Sequence, residues 1–167
     1  MLPIHTILHP TDLSNQSRCA FHLACALARD YEAKLIVLHI WSPPPVAVAD
    51  IIPMPTPAGV DILPQIENAL YGLRPTDDSV QVCHVLAEGD PVSGILDAAE
   101  SRAADLIVMG THGHKALRRL LMGSVAEQVM REARCPVVTV RTQLPEAEPQ
   151  AARAVRAAIP EPAQQAV

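Results

Sequence analysis

Between residues 110 and 124 the chain gathers glycines, hydroxyls and cations in a spacing that suits an anion. Gly110-Thr-His-Gly113 comes first and Gly123-Ser124 last, with His114, Lys115, Arg118 and Arg119 between them. The three glycines permit a positive φ and a close approach of ligand to backbone. Ser124-Val-Ala-Glu127 has the S-x-x-E form of a capping box, so a helix should open there. Free N–H groups and the positive end of a helix dipole would then converge where a phosphate could sit. A glycine turn followed by a capped helix uses the same residues without any ligand. Ser124 has two uses for one oxygen, capping the helix or bonding a phosphate. Glu127 can complete the capping box or act as a base on water. His112, His114 and the cations either help neutralise a phosphate chain or lie solvated.

Written out, the pattern is G-x2-G-x9-G-S. It closely resembles the nucleotide-binding signature of the universal stress protein family, and the similarity runs through GTHGHKALRRLLMGSVAEQVMREARCPVVTVR, residues 110–141. The resemblance implies that Gly113, Gly123, Ser124 and Val125 cradle phosphates. It places Asp12 and Gly110 near a ribose, where a carboxylate bonds hydroxyls strongly, and Ile40 against adenine. Pro10, Thr11, Met109, His112 and His114 flank these positions and complete the expected site. The implied ligand is ATP, with Mg2+ held through its phosphates. The implied function is that of a homodimeric sensor or regulator in stress response, with the dimer formed through strand 136–141. Relatives usually carry Arg where His114 stands and Gly where Ala116 stands. The first change makes phosphate affinity more sensitive to pH; the second stiffens the loop. Two other classes remain open: a slow ATP hydrolase or phosphoryl-transfer enzyme, and a dimerisation module that binds no nucleotide. Phosphoryl transfer needs a positioned nucleophile. His112 is the one candidate to orient water, and no catalytic residue is assigned. Other nucleotide fingerprints are missing: there is no G-x-x-x-x-G-K-[ST], and the turn after the first strand lacks G-x-G-x-x-G.

These residues need a scaffold that brings loop ends together. Residues 3–9 read as a first strand, with Pro10-Thr11-Asp12 as the turn and Ser14 as a helix cap. Ala20, Leu23, Ala24, Leu27 and Ala28 keep the spacing of a helix with one buried face. Lys34–Ile40 holds a continuous Leu-Ile-Val-Leu run, the mark of a central parallel strand. Ile62, Ile66, Ala69, Leu70 and Leu73 predict a second helix. A third strand, 80–86, has a mixed pattern that suits an edge. Asp90-Pro91 starts a third helix, whose inward face is Val92, Ile95, Leu96, Ala99 and Ala103. Asp105–Met109 is the fourth strand. A helix from Ser124 turns Val125, Val129, Met130 and Ala133 inward, and 136–141 is the fifth strand. Strict alternation of strand and helix predicts an α/β, doubly wound parallel sheet with helices on both faces. Strand order cannot be read from alternation. The resemblance implies 3-2-1-4-5, which brings Asp12 beside Gly110 at the switch between strands one and four.

Composition narrows the classes. The chain has 167 residues, 49% of them apolar, but one Trp, two Tyr and one Phe, so the core must be aliphatic. One domain over 1–142 and a tail over 143–167 are expected. The tail is rich in Ala, Pro, Glu and Gln, which suits disorder or a weak Ala-rich helix. Six prolines between Trp41 and Pro57 exclude a regular element there. That segment reads as a surface loop, a flap or a dimer contact. A net charge of −5 argues against a nucleic-acid partner. No run reaches the ~18 apolar residues of a membrane span, and no signal-peptide core is present, so the expected location is cytoplasmic. The four cysteines show no metal-like spacing and read as small buried hydrophobes, and His5, His9 and His39 read as structural histidines in strands. There is no internal repeat of the domain.

Overall fold

The computed structural model describes residues 3–42, 62–111 and 124–141. Strands and helices alternate as β1 (Thr6–Pro10), α1 (Asn15–Asp30), β2 (Lys34–Trp41), α2 (Ile62–Tyr71) and β3 (Val82–Glu88). They continue as α3 (Pro91–Ser101), β4 (Leu106–Gly110), α4 (Ser124–Glu132) and β5 (Val137–Val140). Every strand pair is parallel and the sheet order is β3-β2-β1-β4-β5, as the resemblance implied. The winding reverses between β1 and β4. β3 is an edge strand, which accounts for its mixed pattern.

Successive strand residues face opposite sides of the sheet, so each strand feeds two cores. Ile7, Val37 and Val108 pack with Phe21, Ala24 and Ala28 of α1 and Leu70 of α2. Leu8, Ile36, Leu38, Ile107 and Met109 pack on the other face with Ile95 of α3 and Ala126 and Val129 of α4. Several helix faces are rotated from those the spacing predicts. In α1 Phe21 is buried and Leu23 exposed; in α4 Ala126 is buried and Met130 exposed. In α2 only Leu70 is buried, with Ile62 and Ala69 exposed. Ala103 lies past the end of α3, exposed and left-handed (φ 48°), and Ala104 takes the buried place. Where Ala and Leu occupy adjacent faces, apolar spacing alone does not choose between them. Cys19 is exposed, unlike the half-buried Cys25, Cys83 and Cys135.

β1 begins at Thr6 rather than Pro3 because Asp105 anchors it there. Its Oδ2 accepts the N–H groups of His5 (2.7 Å) and Thr6 (2.9 Å), which leaves His5 just outside the strand. These bonds favour the carboxylate and hold the Asp105 carboxyl below its ordinary range.

A conflict arises at the other end of β1. Its odd-numbered residues exchange backbone bonds with β2: Lys34 N–H donates to the His5 carbonyl and Thr11 N–H to that of Leu38, both at 2.8 Å. Even-numbered residues therefore face β4, where the Thr6 carbonyl accepts from Asp105 N–H at 2.9 Å. Pro10 falls on that side and has no N–H to give. With Leu8 opposite Ile107, the carbonyl it would have met is that of Val108. The β1–β4 ladder accordingly stops at Leu8. The imidazole of His9 takes over, Nδ1 lying 2.8 Å from the Val108 oxygen. A carbonyl only accepts, so Nδ1 carries the proton. Nε2 is left as a buried acceptor without a partner among the described residues. The ring rests against Phe21, centroids 5.7 Å apart.

Burial lowers the His9 pKa from 6.5 to about 4, outweighing the bond to Val108 and the nearby charge of Asp12. The folded pKa lies below the unfolded value, so unfolding takes up a proton within that window. Stability from this group is full above pH 6.5 and falls as pH is lowered toward 4. The expected loss is about 3 kcal/mol. Urea unfolding at pH 7 and pH 4 measures it, and His9→Asn, which keeps a donor for Val108 but does not titrate, should remove most of it. An equal pH dependence in wild type and variant would contradict this assignment.

Candidate functional site

The winding reverses between β1 and β4, so the candidate crevice lies outside the carboxyl ends of these two central strands. In open α/β sheets this is where ligands bind. Its described rim comes from the turn after β1, the end of β2, the end of β4 and the start of α4.

The turn after β1 is held by a chain of hydroxyls. Thr11 Oγ1 lies 2.9 Å from Ser17 Oγ and accepts Leu13 N–H at 3.1 Å. Ser14 caps α1, its Oγ accepting Ser17 N–H at 3.2 Å, while Ser17 Oγ donates to the Ser14 carbonyl at 2.8 Å. Asp12 Oδ1 accepts from Ser14 N–H (3.1 Å) and Ser14 Oγ (2.6 Å). His39 Nδ1 donates to the Thr11 carbonyl at 2.8 Å and ties the turn to β2. Thr11, Ser14 and Ser17 are all buried, so their polar atoms require these partners. Leu13 adopts φ 63°, a conformation that non-glycine residues reach only at a cost. The hydroxyl bonds on either side supply the compensation. The result is a carboxylate, Asp12, fixed at the end of the central strand and half-buried.

β4 delivers Gly110 in register with Val140, and Thr111 follows, buried, with its N–H on the Val140 carbonyl at 3.1 Å. Met109 and Pro10 are both buried, and the Met109 side chain belongs to the core beneath α3 and α4. Met109 can therefore line the crevice only through its backbone. Ile40 is half-buried at the end of β2 and packs on that same core. Beyond it, the Trp41 carbonyl accepts Gly89 N–H at 3.0 Å, and Ser42 Oγ donates to the Gly89 carbonyl at 2.7 Å. Gly89 needs its φ of 142°, which a side chain would resist. Ser124 is the first residue of α4, and Val125 is half-buried against the core. The Glu127 carboxylate meets Arg131 one turn along, at 2.7 Å.

The fold thus brings Pro10, Thr11, Asp12, Ile40, Met109 and Gly110 to one end of the sheet. His112, Gly113, His114 and Gly123 lie outside the described residues. So do Ala116, the cations of that loop, most of the proline-rich segment and the tail. Sequence reasoning read His39 as structural, as its bond to Thr11 bears out, but missed Ser17, Thr111 and Gly89 as supports. Only Ser17 left a readable signal, as the second hydroxyl of Ser14-x-x-Ser17. Among the described residues no three His, Cys, Asp or Glu gather to hold a metal ion. A broad open groove of about 640 Å³, lined by His5, Arg29, Lys34 and Gln81 among others, lies at the opposite end of the sheet. In α/β folds that end is not where ligands bind.

Relatives share both the sequence and the fold. The model of the universal stress protein family matches residues 3–141. A universal stress protein of Thermus aquaticus is 37% identical over 142 residues, spanning 81% of this chain and 98% of its own. A universal stress protein solved in complex with cAMP superposes with a TM-score of 0.63 at 24% identity, covering 84% of this chain and 98% of the other. The Archaeoglobus fulgidus universal stress protein solved with dAMP gives 0.56 at 21% identity, over 83% and 98% of the two chains. With the matched span running from the first strand through the last, this chain belongs to the universal stress protein family.

Proposed function

We propose that this protein binds ATP with Mg2+ in the crevice between β1 and β4 and acts as a homodimeric regulator in the cytoplasm. The observation that carries the reading is the complete G-x2-G-x9-G-S pattern, which starts at Gly110, the last residue of β4, and ends at Ser124, the first residue of α4. The structurally similar proteins solved with cAMP and dAMP support an adenine nucleotide. In this reading Gly113, Gly123, Ser124 and Val125 hold phosphates through backbone N–H groups at the positive end of α4. Asp12 accepts from the ribose, beside Gly110, and Ile40 meets the base. Pro10, Thr11 and Met109 contribute backbone alone, with His112 and His114 nearer the phosphates. The metal ion is held through the nucleotide phosphates. The nucleotide-binding unit is residues 1–142, and 143–167 form an appended tail.

Gly113→Val should place a side chain where a phosphate must approach and lower ATP affinity tenfold or more, about 1.4 kcal/mol. Titration calorimetry of wild type and variant with ATP, AMP and cAMP measures this and ranks the nucleotides. No wild-type binding, or an unchanged affinity in the variant, would sink the reading.

Phosphoryl transfer needs a positioned nucleophile, and the sequence offers only His112 to orient water, so the expected turnover is slower than about one phosphate per minute, below the usual enzyme range. Faster release by the wild type that disappears in Gly113→Val would favour the hydrolase instead.

The dimer is proposed to form by antiparallel pairing of two β5 edges about a two-fold axis. The Pro136 and Val140 carbonyls accept from Ile107 of β4 and from Thr111 just after it, so even-numbered β5 residues face inward. Val137 and Thr139 therefore present their backbone groups to the open edge. Thr139→Pro removes an outward N–H and should weaken the dimer with the fold intact, whereas Val138→Pro would damage the sheet itself. Sedimentation with circular dichroism checks both. A wild type that is monomeric at micromolar concentration, with and without ATP, refutes the proposal.

A further inference from the structure

Gly94 occupies a helix interior, a position that disfavours glycine. It lies in the first turns of α3, its N–H bonded to the Asp90 carbonyl at 3.0 Å. A Cβ built on Gly94 would come within 2.6 Å of Ile40 Cδ1 and 3.4 Å of Ile40 Cγ1. The tip of Ile40 thus leans into the space that a side chain on α3 would fill. The helix is not free to withdraw. Asp90 caps it through Val92 N–H (3.1 Å) and Ser93 N–H (3.0 Å), and Ile95, the next residue, is buried in the core. Below Ile40 the core is closed by Leu38 and Ile36, both at most 2% exposed. In so dense a packing a methyl added at Gly94 must be absorbed by Ile40. Ile40 is only half-buried near the end of β2, so its tip has room to yield toward that end of the sheet.

We infer that Gly94 is a positioning residue, setting the room for the base by letting Ile40 lean back onto α3. The inference rests on the reading of the crevice as an adenine-nucleotide site, and Gly94 acts only through Ile40. Gly94→Ala should push Ile40 forward and crowd the base. Helix α3 itself should be retained, since alanine suits a helix better than glycine.

The test is a double-variant cycle read by calorimetry with ATP and Mg2+: wild type, Gly94→Ala, Ile40→Val and the pair together. Ile40→Val deletes Cδ1, the atom nearest the added methyl. Gly94→Ala should raise the Kd about threefold or more when Ile40 is intact and by less than about twofold when it is combined with Ile40→Val. Circular dichroism and thermal melting confirm that all four proteins are folded. A Kd in Gly94→Ala within about twofold of wild type overturns the inference alone, leaving the nucleotide reading intact. An equal loss in both backgrounds also overturns it, because a general effect on the helix would not depend on Cδ1. No ATP binding by the wild type overturns the nucleotide reading and the inference together.

Discussion

The bond from His9 Nδ1 to the Val108 carbonyl is the constraint on which the two halves of the sheet depend. Pro10 cannot continue the ladder to β4, and without a substitute donor the central strands would part with a carbonyl stranded in the core. The imidazole supplies the donor from the side chain one residue earlier. It keeps the strands registered up to their last turn yet leaves them unpaired just beyond. The candidate crevice lies just beyond that point, and the strands below it are not weakened. The arrangement has a cost. Nε2, without a partner among the described residues, lies in an aliphatic core that tolerates neither an orphan acceptor nor a charge.

The same separation of duties recurs on the rim. The hydroxyls of Thr11, Ser14 and Ser17 satisfy one another and the backbone, so the strained turn at Leu13 is supported from both sides. Asp12 is placed by bonds within its own turn. A turn assembled this way has little conformational freedom left to lose, because its ordering is already complete in the folded chain. His39 extends the support to β2, as His84 does between β3 and the end of α2 through the Leu73 carbonyl at 2.7 Å. Among the described residues, histidine thus serves three times as a strut onto a backbone carbonyl.

Much of the fold was legible in the sequence because central strands buried on both faces are written as unbroken apolar runs. Leu-Ile-Val-Leu in β2 and Leu-Ile-Val-Met in β4 could hardly be anything else. Strand order was not legible from the runs, since a parallel sheet wound either way has the same alternation. It came from resemblance. The helix faces were legible only to within a neighbouring residue, and the choice of Phe21 over Leu23 required the tertiary packing. At the candidate site, the turn Pro10-Thr11-Asp12 could be read from the residues, whereas the glycine pattern was recognised by its resemblance to the family signature. The role of His9 could not be read from either, because it depends on which side of β1 Pro10 faces, a matter of register. Nor could the fit of Gly94 under Ile40, two residues far apart in the chain whose contact exists only once α3 lies on the sheet.

The near absence of aromatic residues has an optical consequence. Trp41 is the single tryptophan, half-buried at the carboxyl end of β2, next to Ile40 and tied to Gly89 through its own carbonyl. Red-edge excitation therefore addresses one indole at one place, on the rim of the crevice and away from the aliphatic interior. Its emission reports the polarity and quenching at that rim. The molecule carries its own single-site fluorophore at the position where a label would otherwise have to be attached.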